Sequence, residues 1–197
     1  MDYSKFIGLL KKIKYNIISD NVSIIELCDN NQDIEYIKQA ILFDNTNMCF
    51  YGSNYRDDYQ SFIDDFSDYI ASSSINYAVF YQEKFIGLFM AWYHDYEKDK
   101  KRFAIGYVID EKYRNCGIGA YAFEKFLEII INEYDVDSIH ACTRNDNEAS
   151  KKLLKKFLFH RYKGYREDDF FIDKDNKKIP QLQYLLKKKD YLKKVFN

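Results

Sequence analysis

The heptapeptide Arg114-Asn115-Cys116-Gly117-Ile118-Gly119-Ala120 joins an arginine to two glycines, in a chain that has only seven glycines. Glycine reaches positive φ and puts no Cβ between the backbone and a bulky anion. Arginine adds a permanent charge and a planar fork of donors matched to phosphate oxygens. An apolar run from Phe103 to Ile109 comes before it, and helically spaced Ala122, Phe123, Phe126, Leu127, Ile130 and Ile131 follow. A strand that turns through such a loop into a helix presents unpaired N–H groups at the positive end of the helix dipole. The chemistry expected is a pyrophosphate cradle. The plainer alternative is a glycine turn that only starts a helix.

The neighbouring residues narrow the nucleotide. A Rossmann loop needs a third glycine, where this chain has Ala122, and it comes early in its fold, whereas about a hundred residues precede this loop. A Walker loop needs Gly-Lys-Ser/Thr, which does not follow here. The pattern Arg-x-x-Gly-x-Gly/Ala, met by Arg114, Gly117 and Gly119, resembles the signature of the GNAT superfamily of N-acetyltransferases. Ile105-Gly106-Tyr107-Val108-Ile109-Asp110 is similar to that fold's fourth strand. Asn147-Glu148-Ala149-Ser150 followed by Lys156-Phe157-Leu158-Phe159 is similar to the Asn-x-x-Ser…Lys-Leu-Gly-Phe run of its core, with Leu158 in the glycine's place. The chain resembles most the RimJ/RimL branch, which acetylates protein N-terminal amines and includes polyamine acetyltransferases. The likeness spans roughly residues 23–186.

That resemblance implies a mixed α/β (α+β) fold: a mostly antiparallel mixed sheet, splayed between its fourth and fifth strands, with helices on both faces. It implies acetyl-CoA as cosubstrate and no metal. The pyrophosphate would lie on Arg114, Asn115, Cys116, Gly117, Ile118, Gly119 and Ala120. The pantetheine arm would run along the backbone of Val108 and Ile109 like an added strand, where a backbone N–H would also hold the thioester oxyanion. Asn147 would contact the arm and Ser150 would lie near the sulfur, although both residues also suit plain helix capping. One of Lys151, Lys152, Lys155 and Lys156 would reach the 3′-phosphate, and Cys116 would be a passive filler. Many members carry a thiolate-protonating tyrosine seven residues after the asparagine. Here that position is Leu154, which leaves Ser150 as the substitute. The branch's usual glutamates fall at Ala104 and Tyr121. Asp95 is carried forward as the catalytic carboxylate, with Glu97, Asp110, His94 and His140 as alternatives.

The expected acceptor is a peptide N-terminal amine or a small polycationic amine, attacking directly in a ternary complex. Asp57, Asp58, Asp64, Asp65 and Asp68 crowd one helical stretch, which is either an attraction for cations or a solvated face. A homodimer fits families of this kind, though no residue marks an interface. The alternative reading is a CoA-binding sensor without turnover, since Ala104, Tyr121 and Leu154 remove ionisable groups while sparing the cradle. A generic ATP site is a third reading.

These residues have to be positioned by a folded domain. The chain has 197 residues, 47% apolar with 19 Tyr and 16 Phe, enough for one core, so residues 1–197 read as a single domain with 1–22 as an extension packed on it. Thirty basic against 31 acidic side chains give a net charge of −1 and no footprint for nucleic acid. No membrane span or signal peptide is read, and Cys28, Cys49, Cys116 and Cys142 form no C-x-x-C, so a cytoplasmic protein is expected. Helices are predicted at 3–14, at 33–42 with Ile34, Ile37, Ile41 and Leu42 inward, at 58–71 with Tyr59, Phe62, Ile63, Phe66 and Ile70 in a stripe, and at 148–157. Strands are predicted at 23–27, at 77–81 and 85–93 around a hairpin, and at 102–109, 138–143, 160–171 and 178–187, with Pro180 at an edge or strand start.

Overall fold

A computed structural model of the chain describes residues 15–16, 21–27, 31–43, 63, 67, 70–71, 74–93, 101–163, 170–172, 175 and 177–195. The elements in order are β1 (Tyr15–Asn16), β2 (Val22–Glu26), α1 (Asn31–Leu42), β3 (Ile75–Tyr81), β4 (Lys84–Tyr93), β5 (Arg102–Ile109), α2 (Ile118–Glu133), β6 (Ser138–Arg144), α3 (Glu148–Lys156), β7 (His160–Arg161), β8 (Phe170–Ile172), β9 (Lys178–Lys187) and α4 (Lys188–Val195). The strands form one sheet in the order β1-β2-β3-β4-β5-β6-β9-β7, with β8 also paired to β9. Every pair is antiparallel except β5–β6. The mixed, mostly antiparallel sheet is therefore as expected.

Period-two alternation gives each inner strand two buried faces. Phe89, Ala91, Ile105, Ile139 and Ala141 meet Phe123, Phe126, Leu127 and Ile130 of α2, Leu154 of α3 and Tyr191 of α4. Leu88, Met90 and Val108 meet Ile37, Ala40 and Ile41 of α1, with Ile63 and Ile70. Helices thus cover both faces.

Two local devices shape the middle of the sheet. Gln82 and Glu83 take φ of 49° and 65°, the two positive values that a tight primed turn needs, and close the β3–β4 hairpin. Just beyond the turn, the pairing shifts register between Val79 and Phe80, bulging β4 at Ile86-Gly87. A Cβ on Gly87 would stand 2.4 Å from the Val108 carbonyl oxygen and 2.6 Å from Ile109 Cδ1. Only glycine lets β4 come this close to the end of β5.

Several expectations change in detail. Leu42, predicted inward, is 48% exposed, because the helical stripe is completed by Ala40 instead. The predicted 160–171 strand is two short segments, β7 and β8, at different places along β9. Pro180 is the third residue of β9 and lies just before its pairing with β6 begins at Gln181, so its missing N–H breaks no rung there. The sequence pattern assigns nothing to 188–195, where α4 buries Tyr191 in the core. The predicted 3–14 helix, most of the 58–71 helix with its aspartates, Cys28 and Cys49 lie outside the described residues.

Candidate functional site

The β5–β6 ladder is short. It pairs Arg102↔Ser138, Phe103↔Ile139, Ala104↔His140 and Ile105↔Ala141, and then stops. Beyond it, β5 continues to Ile109 against β4, and β6 continues to Arg144 against β9. The sheet is therefore splayed here, and among the described residues no strand pairs that edge of 106–109. Asp110 N–H donates to the Ile86 carbonyl at 2.8 Å, which sets the phase of the β4–β5 ladder. Bonding sides alternate along an antiparallel strand, so the backbone groups of Gly106 and Val108 face β4, and those of Tyr107 and Ile109 face the open edge. Of the two residues expected to receive the arm, Ile109 turns its N–H to the cleft, its carbonyl being bound by Arg114, whereas Val108 gives its backbone to β4 and buries its side chain under α1.

The loop after β5 opens onto this cleft. Asp110 Oδ1 accepts from Lys112 N–H at 3.1 Å and caps a short turn at Glu111–Tyr113. Asn115 (φ 61°) and Gly117 (φ 88°) both take the left-handed conformation before α2 starts. Gly117 is the N-cap of α2, has no side chain to cap it, and would have nothing within 4 Å of an added Cβ. The first turn of α2 carries no acidic residue. Tyr121 N–H is the first to bond back, to the Gly117 carbonyl at 3.0 Å, so the N–H groups of Ile118, Gly119 and Ala120 precede the first rung of the helix. Gly119 meets a separate constraint, since a Cβ there would sit 3.3 Å from Ile109 Cγ1, so the helix start packs directly on the end of β5.

Arg114 does more than present a charge. Its Nε donates to the Ile109 carbonyl at 2.7 Å and its Nη2 to the Phe43 carbonyl at 3.1 Å. The guanidinium thereby braces the loop against β5 and the end of α1. Cys116 is exposed, its thiol donating to the Tyr113 carbonyl at 2.9 Å.

The other arm of the cleft carries α3. Asn147 is its N-cap, the Oδ1 accepting from Ser150 N–H at 3.0 Å. Ser150 Oγ lies 2.6 Å from the Tyr107 hydroxyl, linking α3 to β5 across the splay. The Tyr107 ring packs against Phe123 (centroids 4.9 Å) and Phe89 (6.3 Å). Burial raises its phenol above the usual range, only partly offset by the Ser150 bond. Lys151 binds Glu148 and donates to the Asn145 carbonyl, which ties it down among the four lysines considered for the 3′-phosphate. At the far end of α3, Leu158 N–H bonds Lys155 and Phe159 N–H bonds Leu154, with Leu158 at φ 65°. This is a Schellman end, and Leu158 adopts the conformation that a glycine would take freely.

The structure therefore places Ile109, Arg114, Asn115, Cys116, Gly117, Ile118, Gly119 and Ala120 at the open end of β5 and the start of α2, and Asn147 and Ser150 at the start of α3, which the Ser150–Tyr107 contact ties to β5. Asp95, with His94 and Glu97, lies outside the described residues. Leu154 is wholly buried and Ala104 nearly so. His140 is the rung partner of Ala104. It is buried beside Arg102, Gln183 and Tyr162, and desolvation, aided by Arg102, lowers its pKa to about 4. An imidazole held neutral so strongly is a poor base toward an ammonium. Tyr107 escapes a sequence-based site assignment because an aromatic in an apolar strand reads as core. Among the described residues no group of three or more His, Cys, Asp or Glu is placed to hold a metal, and no helix is long and apolar enough to cross a membrane.

Residues 28–160 match a family model described as an acetyltransferase (GNAT) domain. No curated protein matches the chain in sequence. Among solved structures, the chain is similar to the spermidine/spermine N-acetyltransferase SpeG from Vibrio cholerae, at 13% identity and a TM-score of 0.68, over 90% of this chain and 99% of that one. It is similar to Mycobacterium smegmatis RimJ in complex with CoA-disulfide, at 14% identity and 0.66, over 86% and 83%. It is also similar to the Salmonella typhimurium acetyl transferase that modifies the N-terminal serine of a 50S ribosomal subunit protein, at 14% and 0.65, over 86% and 96%.

Proposed function

Because the chain belongs to the GNAT acetyltransferase family, we propose that it transfers the acetyl group of acetyl-CoA to a primary amine by direct attack in a ternary complex. The observation that carries this reading is the uncapped, acid-free start of α2 beside an edge of β5 that no strand among the described residues pairs. The pyrophosphate fits the backbone N–H groups of 115–120, where the open space at Gly117 admits it. The pantetheine amides fit the cleft-facing backbone of Tyr107 and the N–H of Ile109, with Asn147 and Ser150 on the opposite arm. The Tyr107 N–H, two residues from the end of the β5–β6 ladder, is the donor proposed for the thioester oxygen as it gains charge.

Positioning is proposed to carry most of the rate, with Asp95 as the proposed carboxylate at the acceptor side. Holding amine and thioester together lowers a barrier by roughly 7–11 kcal/mol, and the ammonium form of a weakly basic amine loses its proton to solvent. An N-terminal peptide amine is the first acceptor proposed, and a small polyamine the second, matching what the structurally similar proteins are named for. The protein is taken to act in the cytoplasm, and a homodimer remains part of the proposal.

The test is calorimetric titration with acetyl-CoA, using ATP and NAD as controls, followed by thiol release with an amine panel. Saturable acetyl-CoA binding, abolished by Gly117→Asp or Arg114→Glu, is expected. No binding by folded protein would sink the proposal. Buried Leu154, Ala104 and the neutral His140 favour a second reading, a CoA-binding sensor. Tight CoA binding with no amine-dependent thiol release would select it.

A further inference from the structure

We propose that Tyr107 is a positioning residue for Ser150, fixing the serine hydroxyl so that its hydrogen is directed into the cleft at the sulfur of CoA. This role rests on the cofactor reading above and belongs to two residues of the same cleft. The sheet is closed at Ile105↔Ala141 and open from Gly106 onward, so Tyr107 lies two residues from the apex of the splay. An arm anchored at residues 115–120 and laid along the free edge of β5 points its far end at that apex. The reactive sulfur is at that end.

Both hydroxyls are held rigidly. The Tyr107 ring is clamped edge-on by Phe123 and Phe89, which fixes where its oxygen stands. Ser150 is the third residue of α3, and its backbone N–H is held by Asn147. At 2.6 Å one hydrogen is shared between the oxygens. Either oxygen can supply it, and because a phenol is intrinsically the better donor the role proposed has the tyrosine donating and the serine accepting. Burial disfavours the phenolate, so this donor keeps its proton and is not a proton source. The serine's own hydrogen is then left for a second acceptor.

The chemical step balances without an internal acid. The amine nitrogen attacks the acetyl carbon, and the new C–N bond forms as the C–S bond breaks. The electron pair leaves on sulfur, where the Ser150 hydroxyl donates a hydrogen bond to the thiolate. The excess proton on nitrogen goes to solvent, and the thiolate takes one from solvent when CoA is released.

The test reads binding, not turnover. CoA and desulfo-CoA are titrated from about pH 7 to about pH 10 into wild type, Tyr107→Phe, Ser150→Ala and the double variant. In wild type the bound thiol titrates lower than free CoA. Each single variant is expected to raise that titration by roughly one unit, about a tenfold loss of preference for the thiolate. The double variant should shift no further than Ser150→Ala, and desulfo-CoA should bind all four proteins alike. Ser150→Ala leaves the Tyr107 ring in place, which guards against a packing defect in Tyr107→Phe. An unshifted titration in Tyr107→Phe, additive shifts in the double variant, or equal effects on desulfo-CoA would overturn this inference alone. Failure of wild type to bind CoA at any pH would overturn the cofactor reading and this inference with it.

Discussion

Gly117 and Gly119 sit two residues apart in one motif, yet glycine is needed at each for a different reason. At Gly117 the cause is conformational: φ is 88° and there is open space where a Cβ would go. Gly117→Ala should therefore lower stability by about 1–2 kcal/mol through left-handed strain alone, with no clash. Urea midpoints would check this, and an unchanged midpoint would contradict it. Leu158 shows that the chain tolerates such strain where a helix end needs it, at φ 65°. Arg114 is a comparable case. Its side-chain type suggests phosphate, while its two carbonyl partners give it a bracing role that holds the cradle to β5.

At the scale of elements, the bulge in β4 and the cap of α3 position the cleft's two arms. Gly87 lets the bulge press onto Val108 and Ile109, just before the loop. Gly87→Ala puts a Cβ against backbone oxygen and should destabilise by roughly 1–3 kcal/mol, the usual range for overpacking. Thermal unfolding with and without CoA would test it, and a native melting temperature would refute it. Asn147→Ala removes the cap on α3 and should lower stability by about 1 kcal/mol. Because the same cap pins Ser150, its loss should also weaken CoA binding, which calorimetry can separate from the stability change.

Across the whole molecule, the buried polar face around His140 predicts a pH response. Its pKa is about 4 in the folded protein against 6.5 for an ordinary histidine, so the folded state resists protonation. As pH falls from about 6.5 toward 4, the unfolded chain takes up a proton that the folded one does not, and stability is lost. The loss between pH 7.5 and pH 5 should be about 2 kcal/mol. His140→Gln, which cannot titrate, should flatten the denaturation profile in that window by this amount. Equal slopes for the two proteins would rule the effect out. The same sheet joins this face to the cleft, since His140 and Ala104 form the rung next to the last before the splay.

The strand, glycine loop and helix from 102 to 133 were legible in the sequence because their signals are local. Alternation, helical spacing and glycine's freedom are all properties of a few adjacent residues. The Asn-x-x-Ser cap and the 82–84 hairpin were legible for the same reason. Leu42, the division of 160–171 and α4 were not, because what covers a residue depends on distant chain. The register of β5 decided more than any motif did. It determined that Tyr107 and Ile109, not Val108, face the open edge, because hydrogen-bonding sides alternate from a rung that sequence does not display. It also set Ala104 beside His140, thirty-six residues apart, and brought Tyr107 to Ser150, forty-three residues apart. Sequence determined the kind of cleft, through residues that act on their neighbours; tertiary structure alone decided which side chains meet in it.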